Sequence, residues 1–147
     1  MSFNGTDLSL VDFTNSKLMR VDFRGAKLHK TIFCSCDLSE SQMKENSYID
    51  CNFSNAIMKN IDGNGADFSG SNMCRTTIHN CQFIKSSFDG VVAINAEINN
   101  SNFSHSNLSN VDFSKSKISD STISKSIIKG AKFEGTSFEN VEGIDKN

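Results

Sequence analysis

A large apolar residue recurs at every fifth position of this chain, from Phe3 to Phe138, with no insertion anywhere. The series opens Phe3, Leu8, Phe13, Leu18, Phe23, and 26 of 28 positions comply, Gly63 and Ala93 being the exceptions. Self-similarity at a fixed period outranks local propensity as a guide to fold. A period of five excludes an amphipathic helix, because at about 100° per residue the apolar positions would wander round every face. Plain strand alternation fails too, since an odd period flips the apolar residue to the opposite face each time. A short extended step followed by a corner satisfies the pattern.

The flanking positions support that step. Two residues before each apolar centre the side chain is compact, as at Thr6, Val11, Ser16, Ala26, Thr31, Cys36 and Cys51; Asn46 and Ile61 are the clear departures. Residues two apart in an extended segment point the same way, so the compact residue and the large one both face inward. Two residues after the centre stands Gly or Asn in 15 of 28 repeats, which supplies the freedom a corner needs. Repetition winds a solenoid whose interior is a ladder of stacked side chains. Composition alone argues otherwise: Ser and Asn make up 40 of 147 residues, hydrophobics only 37%, a balance common in disordered chains. The order of the residues overrules it.

Ala66-Asp67-Phe68-Ser69-Gly70, Ser106-Asn107-Leu108-Ser109-Asn110 and Val111-Asp112-Phe113-Ser114-Lys115 carry a resemblance to the pentapeptide-repeat family, which extends over residues 3–142. The resemblance implies an all-β, right-handed quadrilateral parallel β-helix with four pentapeptides to each coil. Residues 1–147 then form a single domain, with repeats over about 1–142 and a short tail at 143–147. That is about seven coils, a rod roughly 33 Å long at about 4.8 Å per coil.

A twenty-residue coil sorts the centres into columns. One holds Phe13, Phe33, Phe53, Phe113 and Phe133 and is interrupted by Met73 and Ala93. A second holds Leu18, Leu38, Met58, Ile78, Ile98, Ile118 and Phe138. These residues are the expected core, and a core filled by side chains leaves no room for an internal active site. Gly63 and Ala93 are thin spots: Ile61 is expected to swing inward beside Gly63, with Val91 and Ile94 flanking Ala93. Tyr48 is a third irregular site, its hydroxyl expected at the coil edge.

No catalytic constellation emerges. Five cysteines suggest a reducing compartment, with Cys36, Cys51 and Cys81 in the compact inward column. Cys34 and Cys74 share an outward column two coils apart, about 9–10 Å and too far for a disulfide. His29, His79 and His105 fall on different edges of the coil, so they cannot converge on one metal ion. Ser occurs in no nucleophile-elbow pattern, and Gly63-Asn64-Gly65 lacks the features of a phosphate loop. The reading is of a protein that is not an enzyme and has no cofactor and no metal.

Charge narrows the partners. The chain carries 15 Lys plus Arg against 17 Asp plus Glu, and over residues 1–145 three faces sum to −1 and one to 0. That gives no electrostatic case for direct nucleic-acid or membrane binding. The start lacks a basic, apolar signal peptide, and no apolar run is long enough to span a bilayer, so a cytoplasmic location is expected. Some members of the resembled family bind type II topoisomerases by mimicking duplex DNA, giving quinolone or toxin resistance. Such mimicry calls for a strongly acidic surface, and no face here is acidic. The expectation is therefore a bacterial interaction scaffold with an unidentified protein partner. Binding of gyrase or topoisomerase as a DNA mimic is the alternative, and a translocated bacterial effector the second. Exposed terminal coils predict a homodimer by end-to-end stacking, the N-terminal coil being expected to be the less protected and the C-terminal end the alternative surface.

Overall fold

Each pentapeptide begins with a compact residue, passes through an outward polar residue and an inward apolar centre, and ends at a corner. In the computed structural model, which describes residues 1–144, every fifth residue from Gly5 to Asn140 has a positive φ, between 50° and 77°. The corners are thus uniform although their residues are not. Leu10, Arg20, Lys30, Glu40 and Lys85 hold the same left-handed conformation as the Gly and Asn corners. An outward Asp or Asn braces the turn that leads there. The Asp12 carboxylate accepts from the Thr14 amide at 2.9 Å, and Asn52, Asn72, Asn102 and Asp112 repeat the bond. Such local side-chain bonds favour turns over regular ladders.

Four corners complete a coil of twenty residues. Parallel rungs therefore join residue i to residue i+20, from Ser2–Asp22 at one end to Thr122–Glu142 at the other. Four columns of rungs make four walls of an all-β parallel solenoid. On the fourth wall three-residue strands extend the pairing: β1 (Ile57–Lys59), β2 (Thr77–His79), β3 (Glu97–Asn99), β4 (Lys117–Ser119) and β5 (Ser137–Glu139) form one sheet in chain order. These strands account for four coil-to-coil steps, and single rungs carry the others.

The interior is layered. Phe33, Phe53, Leu38, Ile78, Ile98, Ile118 and Phe113 are buried, and the Phe33 and Phe53 rings stack at 5.1 Å. Phe13 and Phe133 sit in the terminal coils and are only half-buried, packed against the core from its ends. The compact inward residues tie adjacent coils together. Thr31 Oγ1 donates to the Leu8 carbonyl, Ser41 Oγ to Leu18, Ser71 Oγ to Tyr48 and Ser106 Oγ to Phe83, each at 2.6–2.9 Å and each 23 residues apart.

Two expectations need correction. Tyr48 does not send its hydroxyl to the coil edge: the side chain is fully buried, its ring stacked on Phe68 at 5.1 Å, and the hydroxyl lies beside the Asn46 side chain without a hydrogen bond of good geometry. The inward phenyl stack dictates the ring's direction and carries the hydroxyl with it. Gly63 is likewise no thin spot left to Ile61. A Cβ built on Gly63 would lie 2.5 Å from Phe83 Cε1, so the Phe83 ring of the next coil already fills that space. Ile61 is buried as well, beside a layer that is already occupied. At Ala93 the ladder is regular, with Ala93 N–H donating to Asp112 at 2.7 Å.

One rung is missing. Every column of the described residues repeats its pairing except between Lys27 and Ser47, which share no rung although Asp7–Lys27 and Ser47–Asp67 flank the gap. The cause lies at Asn46, where a carboxamide stands in the compact column. Its Nδ2 donates to the Phe23 carbonyl at 2.7 Å, the same 23-residue bond the hydroxyls make, and also to Ala26 at 3.2 Å. The carboxamide is longer than a hydroxymethyl, so making that bond holds the two coils apart at this wall.

Candidate functional site

Among the described residues the expected core side chains line neither of the two clefts found on the surface, which directs attention to the outer walls, the two ends and the gap. On the walls a few charges are locally paired. Arg20 Nε meets Glu40 at 2.6 Å, Arg24 Nε meets Asp22 at 2.9 Å, and His79 Nε2 faces Glu97 at 3.6 Å. The Arg24 side chain and its amide hold the Asp22 carboxyl below its usual range. The hydroxyl and amide of Ser114 do the same for Asp112 against a smaller cost of burial. His29, His79 and His105 stay apart, and among the described residues no group of three or more His, Cys, Asp or Glu is placed to hold a metal ion.

The buried thiols are poor nucleophiles by position. All five cysteines are free, with Cys36, Cys51 and Cys81 buried. Cys51 Sγ donates to the Leu28 carbonyl and Cys81 Sγ to Met58, so both serve as the inter-coil ties that Ser and Thr form elsewhere. Burial pushes the Cys51 thiol up to about 12 and Cys81 to about 11, far from the thiolate that reactivity needs. Burial likewise raises the Tyr48 phenol.

A corner ladder of carboxamides runs along one edge of the fourth wall. Asn80 Nδ2 donates to Asn60 at 2.6 Å and Asn100 Nδ2 to Asn80 at 3.1 Å. Asn140 Nδ2 donates to Asp120 at 2.9 Å. Asp120 has no amide to pass on, so the ladder stops between Asn100 and Asp120. A shallow polar cleft of about 230 Å³ lies there, lined in part by Gln82, Asn100, Asp120, Asn140 and Glu142.

Both ends expose apolar surface. At the N-terminal end Met1, Leu10 and Met19 are exposed, with Phe3 and Phe13 half-buried. At the other end Ile127 and Ile128 are exposed, and Phe133, Phe138 and Val141 half-buried. The N-terminal coil is not the less protected of the two. Leu8 and Leu18 are 6% and 7% exposed, whereas Ile128, at an equivalent inward position, is 40% exposed. Val141–Ile144 continue only the first wall, and Asp145 and Lys146 of the expected tail lie outside the described residues.

The gap between Lys27 and Ser47 was not foreseen as a site, although Asn46 in the compact column was its visible signal. No helix among the described residues is long and apolar enough to cross a membrane.

Comparison with known proteins agrees with this architecture. The family model for pentapeptide repeats matches eight copies, over residues 16–45, 49–90, 78–114 and 86–124. Two solved structures, both of trypsin-treated variants of QnrB1, a plasmid-mediated fluoroquinolone resistance protein, align with TM-scores of 0.77 and 0.69. Their identities are 22% and 21%, covering 96% of this chain and 72% and 73% of theirs. No curated protein matches the sequence. At such identity the likeness is one of fold.

Proposed function

This chain belongs to the pentapeptide-repeat family, and from that premise we propose that it is a non-catalytic scaffold which binds a protein partner along its outer walls. The observation that carries the reading is the filled interior: the stacked side chains from Leu8 to Ile123 leave the outside as the working surface. The walls are flat, polar and nearly neutral, which suits an extended protein contact better than a polyanion. Residues 1–147 are read as one domain, its place the cytoplasm, where five unpaired thiols persist. The test is affinity capture repeated with charge reversals on separate walls. Lys59→Glu with Lys117→Glu alters the strand-bearing wall, and Lys85→Glu another. A partner lost with one set and kept with the other supports a wall contact; equal capture by all forms contradicts it.

The aligned QnrB1 rods favour a second reading, binding of a type II topoisomerase. The near-neutral faces count against duplex mimicry. Purified protein that alters gyrase supercoiling, or protects the enzyme from a quinolone, would establish this reading, and no effect at micromolar concentration removes it.

Self-association belongs to the same proposal. Apolar surface at both ends supports an end-to-end homodimer, with two-fold pairing of like ends stopping growth. Light scattering at tens of micromolar should then give twice the 16.2 kDa chain mass. A monomer would refute the pairing.

A further inference from the structure

The missing rung has consequences beyond stability. In a regular wall Leu28 N–H would donate across the gap to the Ser47 carbonyl and Ser47 N–H back to Ala26, as Leu8 N–H does to Lys27 at 2.8 Å and Lys27 N–H to Thr6 at 2.9 Å. Neither bond forms here, and among the described residues neither amide has any other partner. Two donors therefore face one gap from opposite coils, together with the Ser47 carbonyl that has lost Leu28, while the Asn46 carboxamide takes up the Ala26 carbonyl that would have accepted from Ser47. Unpaired backbone donors in a recess are costly and call for a partner from outside.

The gap is also an opening. A cleft of about 370 Å³ lies at this place, lined by Ala26, Lys27, Leu28, Asn46 and Ser47 together with Ser9 and His29. Ala26–Lys30 carries two lysines and no acid, one of the two most basic pentapeptides of the chain. Asp7, one coil away, feels the Lys27 charge, though its carboxyl is held down chiefly by the Ser9 amide and hydroxyl. Backbone donors converging beside a lysine form an anion-binding concavity.

We infer that this break in the wall is a binding site for a small oxyanion, a phosphate or a carboxylate. The backbone amides of Leu28 and Ser47 are its donors, and Lys27 is its counter-charge. Ser47 lines the cleft and its hydroxyl can donate as well, whereas Ser9 gives its hydroxyl proton to Asp7. The site exists because Asn46 holds the coils apart; a shorter residue there would let the rung close and consume both donors.

Titration of the full chain with inorganic phosphate, followed by amide NMR at constant ionic strength, tests this directly. Saturable shifts centred on Leu28 and Ser47 are expected. Asn46→Ser, which keeps the tie to Phe23, should abolish them, and Lys27→Gln should weaken binding roughly tenfold, the equivalent of about 1.4 kcal/mol. A parallel titration with acetate distinguishes carboxylate from phosphate, and saturation by either supports the site. Shifts spread over lysines on all walls, no saturation with either anion, or unchanged binding by Asn46→Ser would overturn it.

Discussion

The walls of this rod are built from the same five-residue unit, yet they differ between its two halves. From Ile57 onward the fourth wall carries three-residue strands; before it the same column holds only the single rungs Lys17–Asp37 and Asp37–Ile57. The centres differ as well: Leu18 and Leu38 in the early coils, then Met58, Ile78, Ile98, Ile118 and Phe138. Centre type alone does not account for the strands, because β1 is centred on Met58 and the wall of Phe33, Phe53 and Phe113 carries single rungs. The early half also contains the one broken rung among the described residues, set beside Asn46 and the buried Tyr48 hydroxyl. The comparison shows that the period fixes where rungs fall, while the compact inward residue decides whether they close.

The largest effect should come from emptying a layer. Phe113 is buried and stacks on Phe133 at 6.1 Å, and Phe113→Ala should cost about 3–5 kcal/mol in denaturant melts. Phe133→Ala, in the half-buried end coil, should cost clearly less, and Lys115→Ala on the outside should stay within about 0.5 kcal/mol. Equal losses would mean that inside and outside are misassigned.

A smaller gain is expected in the irregular early half. Tyr48→Phe removes a hydroxyl that is buried without a hydrogen bond of good geometry, so it should stabilise the chain by about 1 kcal/mol. A loss of similar size would show that the hydroxyl is bonded, with the Asn46 side chain beside it as the partner.

The later half offers the matching change at Asp120. Asp120→Asn restores a donor to the corner ladder, linking Asn100 to the Asn140 segment, and should add about 0.5 kcal/mol. The measurement is the midpoint of urea unfolding, with Asn80→Asp as the converse substitution expected to shift it downward. Opposite signs for this pair support the ladder; two losses contradict it.

The smallest effect concerns pH. Ser114 holds the Asp112 carboxyl below its ordinary value of 3.8 in the folded chain. A depressed folded pKa adds stability that is present above about pH 4 and lost as the pH falls through the folded value. Asp112→Asn, which can keep the accepting oxygen, should therefore flatten the acid limb slightly. An unchanged limb would show that the Ser114 bonds do not favour the charged form.

Much of this was legible in the chain itself. The period dictated the coil, and the inward columns were plain from Phe33, Phe53, Ile78 and Ile98. The corners were only half visible, because Gly and Asn mark the left-handed backbone openly while Leu10, Lys30 and Lys85 adopt it under the demand of closure. That demand is tertiary and leaves no trace in local propensity. Tyr48 and Gly63 misled for a related reason: each belongs to a layer whose filling depends on residues twenty positions away, Phe68 and Phe83. Asn46 was visible as a departure from the compact column, but its effect turned on a hydrogen bond to Phe23, in the preceding coil.

Amide hydrogen exchange on the native chain and on Asn46→Ser tests the central claim, that this one side chain opens the wall. In the native chain the Leu28 and Ser47 amides should exchange fast, while the Tyr48 and Phe68 amides, bonded to Asp67 at 2.6 Å and Ser87 at 2.8 Å, exchange slowly. In Asn46→Ser both fast amides should become as protected as their neighbours. Leu28 and Ser47 amides already protected in the native chain, or still fast after the substitution, would contradict the account.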